Sequence, residues 1–200
     1  MTNGHYFESD PVAEPRPRQV SLVLPDVTLS LQTDSGVFSH DRVDPGTKLL
    51  LLDAPHPPPT GDLLDLGCGY GPIAISLALR APRARIWAVD VNRRARSLTT
   101  ANAERAGASN VTVCAPDDVP TDLRFVALYS NPPVRIGKVA LQALLLTWLS
   151  RLTADGRAYL VVHKHLGADS LRAWLTASGW NTEKLRSRLG YRLLQVRAEA

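Results

Sequence analysis

The segment Asp65-Leu66-Gly67-Cys68-Gly69-Tyr70-Gly71-Pro72 constrains this chain more than any other part of it. The apolar stretch Leu63 to Leu66 leads into it, and Ile73 to Arg80 behind it has helical character. The helix opens on a proline, at a position where the backbone amide lacks an intrahelical partner in any case. Strand, glycine loop and helix in that order make one unit of a parallel α/β sheet, with the loop at the carboxyl edge where such folds bind ligands. Glycines there let the main chain touch a bound molecule directly.

The rest of the chain extends this pattern. From Asp62 onward, short apolar runs alternate with helical segments, as in a sheet covered on both faces. Strands are expected at Leu63 to Leu66, Ile86 to Val89, Val111 to Cys114, Phe125 to Tyr129 and Ala158 to Val162. Helices are expected at Ile73 to Arg80, Ala95 to Ala106 and Val139 to Leu152, with Gly107 and Gly156 as stops. Lys184 to Ser187 and Tyr191 to Arg197 form an antiparallel pair around Gly190. Upstream, Val20 to Leu24 and Val27 to Thr33 flank the turn Pro25-Asp26, and Thr47 to Asp53 reads as a helix ended by Pro55 and Pro57-Pro58-Pro59. The fold class predicted is a doubly wound, Rossmann-like α/β sheet, mostly parallel, with an antiparallel C-terminal hairpin and a small N-terminal β-hairpin. Residues 1–19 read as a flexible lead-in and 20–200 as one domain, divided into a hairpin-and-helix region, 20–60, and a catalytic core, 61–200.

Bulk properties exclude several classes. Across 200 residues the chain is 44% hydrophobic and 21% charged, a globular balance. Met1 to Asp10 lacks the basic-then-apolar order of a secretory signal, so a cytoplasmic location is expected. The longest apolar run, Val139 to Leu149, contains Gln142 and Thr147 and falls short of the roughly 20 residues that span a bilayer. Cys68 and Cys114 have no close metal-ligand spacing, so neither a metal nor a disulfide is expected. The net charge is +4, and of 23 basic residues only Lys48, Lys138, Lys164 and Lys184 are lysines. Such arginine richness either suits phosphate, which the guanidinium fork pairs with twice, or reflects compositional bias.

The loop spacing narrows the ligand. A dinucleotide fingerprint wants its third glycine at the place of Pro72, so pyrophosphate binding is disfavoured. An adenosine cofactor that carries an amino acid instead brings an ammonium and a sulfonium, which an anionic Asp65 suits. Asp90, in Ala88-Val89-Asp90-Val91-Asn92, ends the second strand and either accepts from both ribose hydroxyls or caps the next helix. Asp117 and Asp118 follow the third strand, where either one can accept from an adenine amine or cap a turn. The fourth strand ends in Ser130-Asn131-Pro132-Pro133. There the Asn131 side-chain oxygen and the Pro132 carbonyl can accept two hydrogens of one amine, on a loop that prolines stiffen.

Together, Asp65 to Gly71, Asp90 and Asn131-Pro132-Pro133 resemble the motif set of amino-methylating class I methyltransferases. The resemblance is nearest to the small-methyltransferase family of RsmC type, which methylates an exocyclic guanine amine of 16S ribosomal RNA. Thr33-Asp34-Ser35-Gly36-Val37-Phe38-Ser39 and Asp44-x-Gly46 are also similar to that family, so the likeness runs from about Val20 to Arg197. It implies S-adenosylmethionine as cofactor, held by Asp65, Gly67, Cys68, Gly69, Gly71, Asp90, Val91, Asp117, Asp118 and Asn131. It implies Asn131, Pro132 and Pro133 as the catalytic element, a pocket walled by Phe38, Ser39 and Asp44 to Thr47, and substrate contacts from Phe38, Ser39, Val134, Arg135 and Lys138. The partner implied is RNA, as 16S rRNA or the small ribosomal subunit.

Two departures stand out. Full-length members of that family carry a further, degenerate domain ahead of the catalytic one, where this chain has a short hairpin region. Val134 stands where an aromatic side chain often stacks on the substrate base. His163 and His165 are expected on the surface or in packing, and Arg93, Arg94 and Arg96 either contact RNA or form a solvated helix face. The alternative acceptor is a protein glutamine, since methyltransferases of that kind also use Asn-Pro-Pro, or another nitrogen.

Overall fold

The computed structural model describes residues 14–198. Most of the expected lead-in, 1–13, lies outside the described residues. The described chain opens with an antiparallel hairpin, β1 (Arg18–Val23) and β2 (Thr28–Thr33), whose turn is closed by the Leu24 N–H on the Val27 carbonyl at 2.9 Å. Alternate residues are buried along both strands, so one face packs and the other meets solvent.

After α1 (Pro45–Asp53) the chain enters the sheet with β3 (Asp62–Leu66), α2 (Pro72–Arg80), β4 (Arg85–Val89), α3 (Arg93–Ala106) and β5 (Val111–Cys114). It continues with β6 (Phe125–Ser130), α4 (Lys138–Leu149), β7 (Leu152–His163), α5 (Ala168–Ala177), β8 (Trp180–Arg188) and β9 (Tyr191–Ala198). The seven strands lie in the order β5-β4-β3-β6-β7-β9-β8, parallel from β5 to β7 and antiparallel beyond. The fold class expected from the sequence is therefore the one observed. The winding reverses between β3 and β6, and the crevice above that point is where open α/β sheets take ligands.

Side chains alternate across the sheet, as extended backbone requires. Leu63, Ile86, Ala88, Ala127, Tyr129, Tyr159, Val161 and Leu193 pack with α1, α2, α3 and the hairpin. Leu64, Trp87, Val89, Leu128, Leu160, Val162 and Leu194 pack on the other face, under α4 and α5. Both cores are made of strand residues buried on each side, which explains the near-continuous apolar runs of the sequence.

Four local expectations need correction. Helix α4 stops at Leu149, and Leu152 begins a strand because it pairs with Phe125. Gly156 is consequently no helix stop: it sits inside β7 at an irregular register, where a Cβ would lie 2.9 Å from the Phe125 and Thr153 carbonyls. Helix α5 is not among the expected elements, although Ala168, Leu171 and Leu175 give it a buried stripe. Strand β8 is also longer than expected, pairing with β9 from Trp180↔Ala198 to Arg188↔Tyr191.

Candidate active site

The carboxyl ends of the parallel strands open into one cavity of about 210 Å³, far more than a water needs and enough to admit an organic ligand. Leu66, Gly67 and Gly69 come to its wall from the end of β3, and Val89, Asp90, Val91 and Asn92 from the end of β4. Asn131 to Arg135 follow β6, and Val161 to His163 end β7. Val37, Phe38 and Asp44 close it from the segment before α1, while Tyr191 reaches it from β9. Pro116 enters from the turn after β5.

The glycine loop is held from both sides. The Val89 carbonyl accepts from the Gly67 N–H at 2.8 Å and the Cys68 N–H at 3.1 Å, and the Thr99 hydroxyl donates to the Gly69 carbonyl at 2.8 Å. Asp90 receives the Gly69 N–H on Oδ2 and the Asn92 N–H on Oδ1, both at 2.9 Å. Each oxygen keeps a further lone pair, so a diol approaching from the cavity can still be accepted. Burial raises the Asp90 carboxyl pKa, and the Asn92 and Gly69 amides and the Arg96 guanidinium oppose that rise. A Cβ built on Gly69 would meet nothing within 4 Å, so its main chain is open to the cavity that Gly69 lines. An apolar hollow with open loop backbone and a strand-end carboxylate fits an adenosine cofactor.

Other residues singled out from the sequence lie behind this wall or beside it. Asp65 is fully buried behind the loop, with Oδ2 accepting from the Ala74 N–H at 2.9 Å and Oδ1 unpartnered among the described residues. Burial pushes its carboxyl up to about 8 against the pull of that amide. Cys68 is buried against Thr99 at 3.6 Å, and burial raises its thiol pKa. Gly71 carries α2 and packs on Thr99 and Ile75. Asp117 and Asp118 are exposed on the turn that supplies Pro116, and Asp118 accepts from the Ala115 N–H at 3.2 Å. The Ser39 hydroxyl turns to the Arg42 carbonyl, 2.6 Å away. Lys138 is exposed at the start of α4, over a second hollow that shares Val134 with the cavity. His163 lines the cavity and stacks edge-on against Tyr191, whereas His165 is exposed.

The Asn-Pro-Pro element stands where β6 leaves the sheet, tied to β3 by the Ser130 hydroxyl on the Leu66 carbonyl at 2.7 Å. Pro133 has φ −74° and ψ 68°, an inverse γ-turn, and the Val134 N–H closes it on the Pro132 carbonyl at 2.8 Å. That carbonyl keeps one lone pair for a ligand. The Asn131 Nδ2 donates to Asp44 Oδ1 at 2.8 Å and to Thr47 Oγ1 at 3.1 Å. Asp44 also caps α1 through the Gly46 and Thr47 amides and receives the Tyr191 hydroxyl at 3.2 Å.

Sequence reasoning missed Tyr191, Asn92 and the links that seat the upstream segment. The Asn92 Nδ2 donates to the Gly36 carbonyl at 2.8 Å, and Arg94 donates to the Ser35 carbonyl at 2.7 Å. Arg96 donates to the Asp90 and Val91 carbonyls, each at 2.8 Å. Arg94 and Arg96 thus hold the cavity rim together from within the protein. Asn92, two residues after the strand-end acid, is buried in the fold, and nothing local in the sequence reveals its partner 56 residues away.

Comparison with known proteins locates this architecture. The chain is 33% identical to the uncharacterized protein YbxB of Bacillus subtilis, over 96% of this chain and 98% of that one. It is 32% identical to ribosomal RNA small subunit methyltransferase C of Shewanella halifaxensis, over 66% of this chain but 39% of the length of that relative. Among solved structures, it superposes with a TM-score of 0.74 and 22% identity on Thermus thermophilus RsmC, a 16S rRNA N2 G1207 methyltransferase in complex with AdoMet and guanosine. That match covers 94% of this chain and 52% of that one and reflects a shared fold. The family model for the methyltransferase small domain matches residues 28–195, and the chain belongs to that family.

Proposed function

We propose that this chain is an S-adenosylmethionine-dependent methyltransferase acting on the exocyclic amine of a guanine in 16S rRNA, presented by an assembled or partly assembled small subunit in the cytoplasm. The observation that carries the reading is the polar character of one cavity wall. Asn131 Oδ1 and the Pro132 carbonyl can both accept hydrogen bonds at this wall, and Asp44 stands behind Asn131 on the same cavity. An exocyclic base amine offers a matching pair of hydrogens, and guanine's is the one that stands beside a ring N–H, where adenine and cytosine place an acceptor next to theirs.

The chemistry supplied by the cofactor, when bound, is a methyl group on an electrophilic sulfonium. With the cofactor bound, Asp90 would accept from the ribose hydroxyls, the main chain of Gly67 and Gly69 would flank it, and Asp117 or Asp118 would accept from the adenine amine. Asn131 and Pro132 accept from the two amine hydrogens, which favours the pyramidal nitrogen that attacks. Phe38 and Val134 hold the faces of the base, and the surrounding apolar wall excludes water. Alignment of the nitrogen behind the methyl carbon is the main contribution, so no strong general base is required. Arg135 and Lys138 stand beside the cavity for phosphates. Among the described residues no helix is long and apolar enough to cross a membrane.

The test supplies labelled S-adenosylmethionine to the protein with small ribosomal subunits, naked 16S rRNA, tRNA or ribosomal protein, and identifies the labelled nucleoside. Methylguanosine in small-subunit RNA is expected. Label confined to protein glutamine would replace this reading with the alternative one.

A further inference from the structure

An asparagine at a transfer site can present either its carbonyl or its NH2 end to a ligand. At Asn131 the choice is made by the neighbours. Asp44 Oδ1 lies 2.8 Å from the Asn131 Nδ2 and already accepts from the Gly46 and Thr47 amides, so it stands there as an acceptor. The reversed amide would set oxygen against oxygen. The second Nδ2 hydrogen goes to Thr47 Oγ1 at 3.1 Å, which leaves Oδ1 as the end available to a ligand.

Asp44 is itself fixed by groups from distant parts of the chain. Its Oδ1 also takes the Gly46 N–H at 2.8 Å and the Thr47 N–H at 3.2 Å, and its Oδ2 takes the Tyr191 hydroxyl at 3.2 Å. Asn131 and Tyr191 lie 87 and 147 residues from it in sequence, yet all three line the same cavity. A Cβ on Gly46 would sit 2.5 Å from the Tyr191 ring, so the first turn of α1 can close on that ring only through glycine. Burial and the Asp44 charge both raise the Tyr191 pKa, which keeps its hydroxyl a donor.

We infer that Asp44 is a positioning residue of the transfer site: steadied by Tyr191 and the first turn of α1, it fixes the Asn131 amide with Oδ1 turned toward the methyl-accepting amine. The inference rests on the reading of Asn131 as the group that meets that amine.

Asp44→Ser and Asp44→Asn separate this role from helix capping. Serine caps about as well as aspartate but is too short to reach the Asn131 amide, while asparagine retains an oxygen able to make all three Oδ1 contacts. Asp44→Ser should lower kcat on small ribosomal subunits by at least about tenfold, the loss expected from one misdirected hydrogen bond, with S-adenosylhomocysteine affinity near wild type. Asp44→Asn should stay within about threefold of wild type. In an Asn131→Ala background Asp44→Ser should cost nothing further, since both act through one amide.

A readout that needs no substrate accompanies the kinetics. The side-chain amide hydrogens of Asn131, identified in nuclear magnetic resonance spectra by their loss in Asn131→Ala, should exchange slowly in wild type and Asp44→Asn and rapidly in Asp44→Ser. Rapid exchange in wild type overturns the inference whatever the substrate is. A protected amide together with normal Asp44→Ser turnover overturns the reading of Asn131 beneath it, and equal slowing by Asp44→Ser in both backgrounds assigns Asp44 an independent role.

Discussion

Asn102 on α3 hydrogen-bonds both main-chain groups of Gln32 on β2, accepting its N–H and donating to its carbonyl, each at 2.8 Å. The same Nδ2 donates to the Tyr70 carbonyl at 2.9 Å, so one buried side chain joins the N-terminal hairpin to the glycine loop. Asn102→Ala strands one buried and two partly buried backbone groups and should cost about 2–3 kcal/mol of stability. Urea unfolding measures the loss. Hydrogen exchange should localise it to β2 and the glycine loop, and uniform loss of protection across the sheet would argue against the link.

The glycines of the loop should fail in different ways. Gly69 has φ +58° and open space where a Cβ would go, on the cavity side. Gly69→Ala should therefore fold with a modest strain of about 1 kcal/mol but bind S-adenosylhomocysteine at least about tenfold more weakly by calorimetry, because the methyl enters the ligand's space. Gly71 has φ +92°, and a Cβ there would meet Thr99 at 3.0 Å and Ile75 at 3.1 Å. Gly71→Ala should lose about 2–3 kcal/mol in stability, since strain and core crowding add. The reverse ranking of stability and binding would contradict this division.

Asp65 should make stability depend on pH. Its folded pKa of about 8 lies above the ordinary 3.8, so folding takes up a proton at any pH between the two. The unfolded state then binds fewer protons, and this group makes stability fall as pH rises from about 4 to 8, by up to about 1.4 kcal/mol per unit, and level off above. Asp65→Asn removes the dependence. Denaturant unfolding at pH 5 and 7.5 should show the variant gaining on wild type at the higher pH, and parallel curves at both values would contradict the burial argument.

Arg135 is exposed at the cavity mouth and Lys138 lies one short turn beyond. If each neutralises one phosphate, replacing either by alanine should weaken RNA binding and flatten the slope of log K against log salt by about 1. Filter binding across a salt series gives the slope. An unchanged slope with both residues replaced would remove them from the interface.

Much of this molecule was legible because local patterns carried it. The parallel strands are short apolar runs, the glycine loop sits between strand and helix, and Asn131 follows directly on a strand, so strand-end position alone brought Gly67, Asp90 and Asn131 to one edge. What escaped depends on partners far away in sequence. Leu152 reads as a helical residue until Phe125 pairs with it, and the polar start of β8 is a strand only because β9 lies alongside. The placing of Tyr191 against Asp44 needs the whole sheet to close before it exists. Asp65 was read as a charge facing a ligand, and the fold instead buries it under the start of α2, a depth that the loop motif does not encode.

The most direct measurement compares nucleosides of 16S rRNA from cells with and without the gene by mass spectrometry. One N2-methylguanosine should be lost on deletion, restored by the wild-type protein and not restored by Asn131→Ala at equal expression. An unchanged 16S profile after deletion, with a methylated glutamine lost from protein instead, would contradict it.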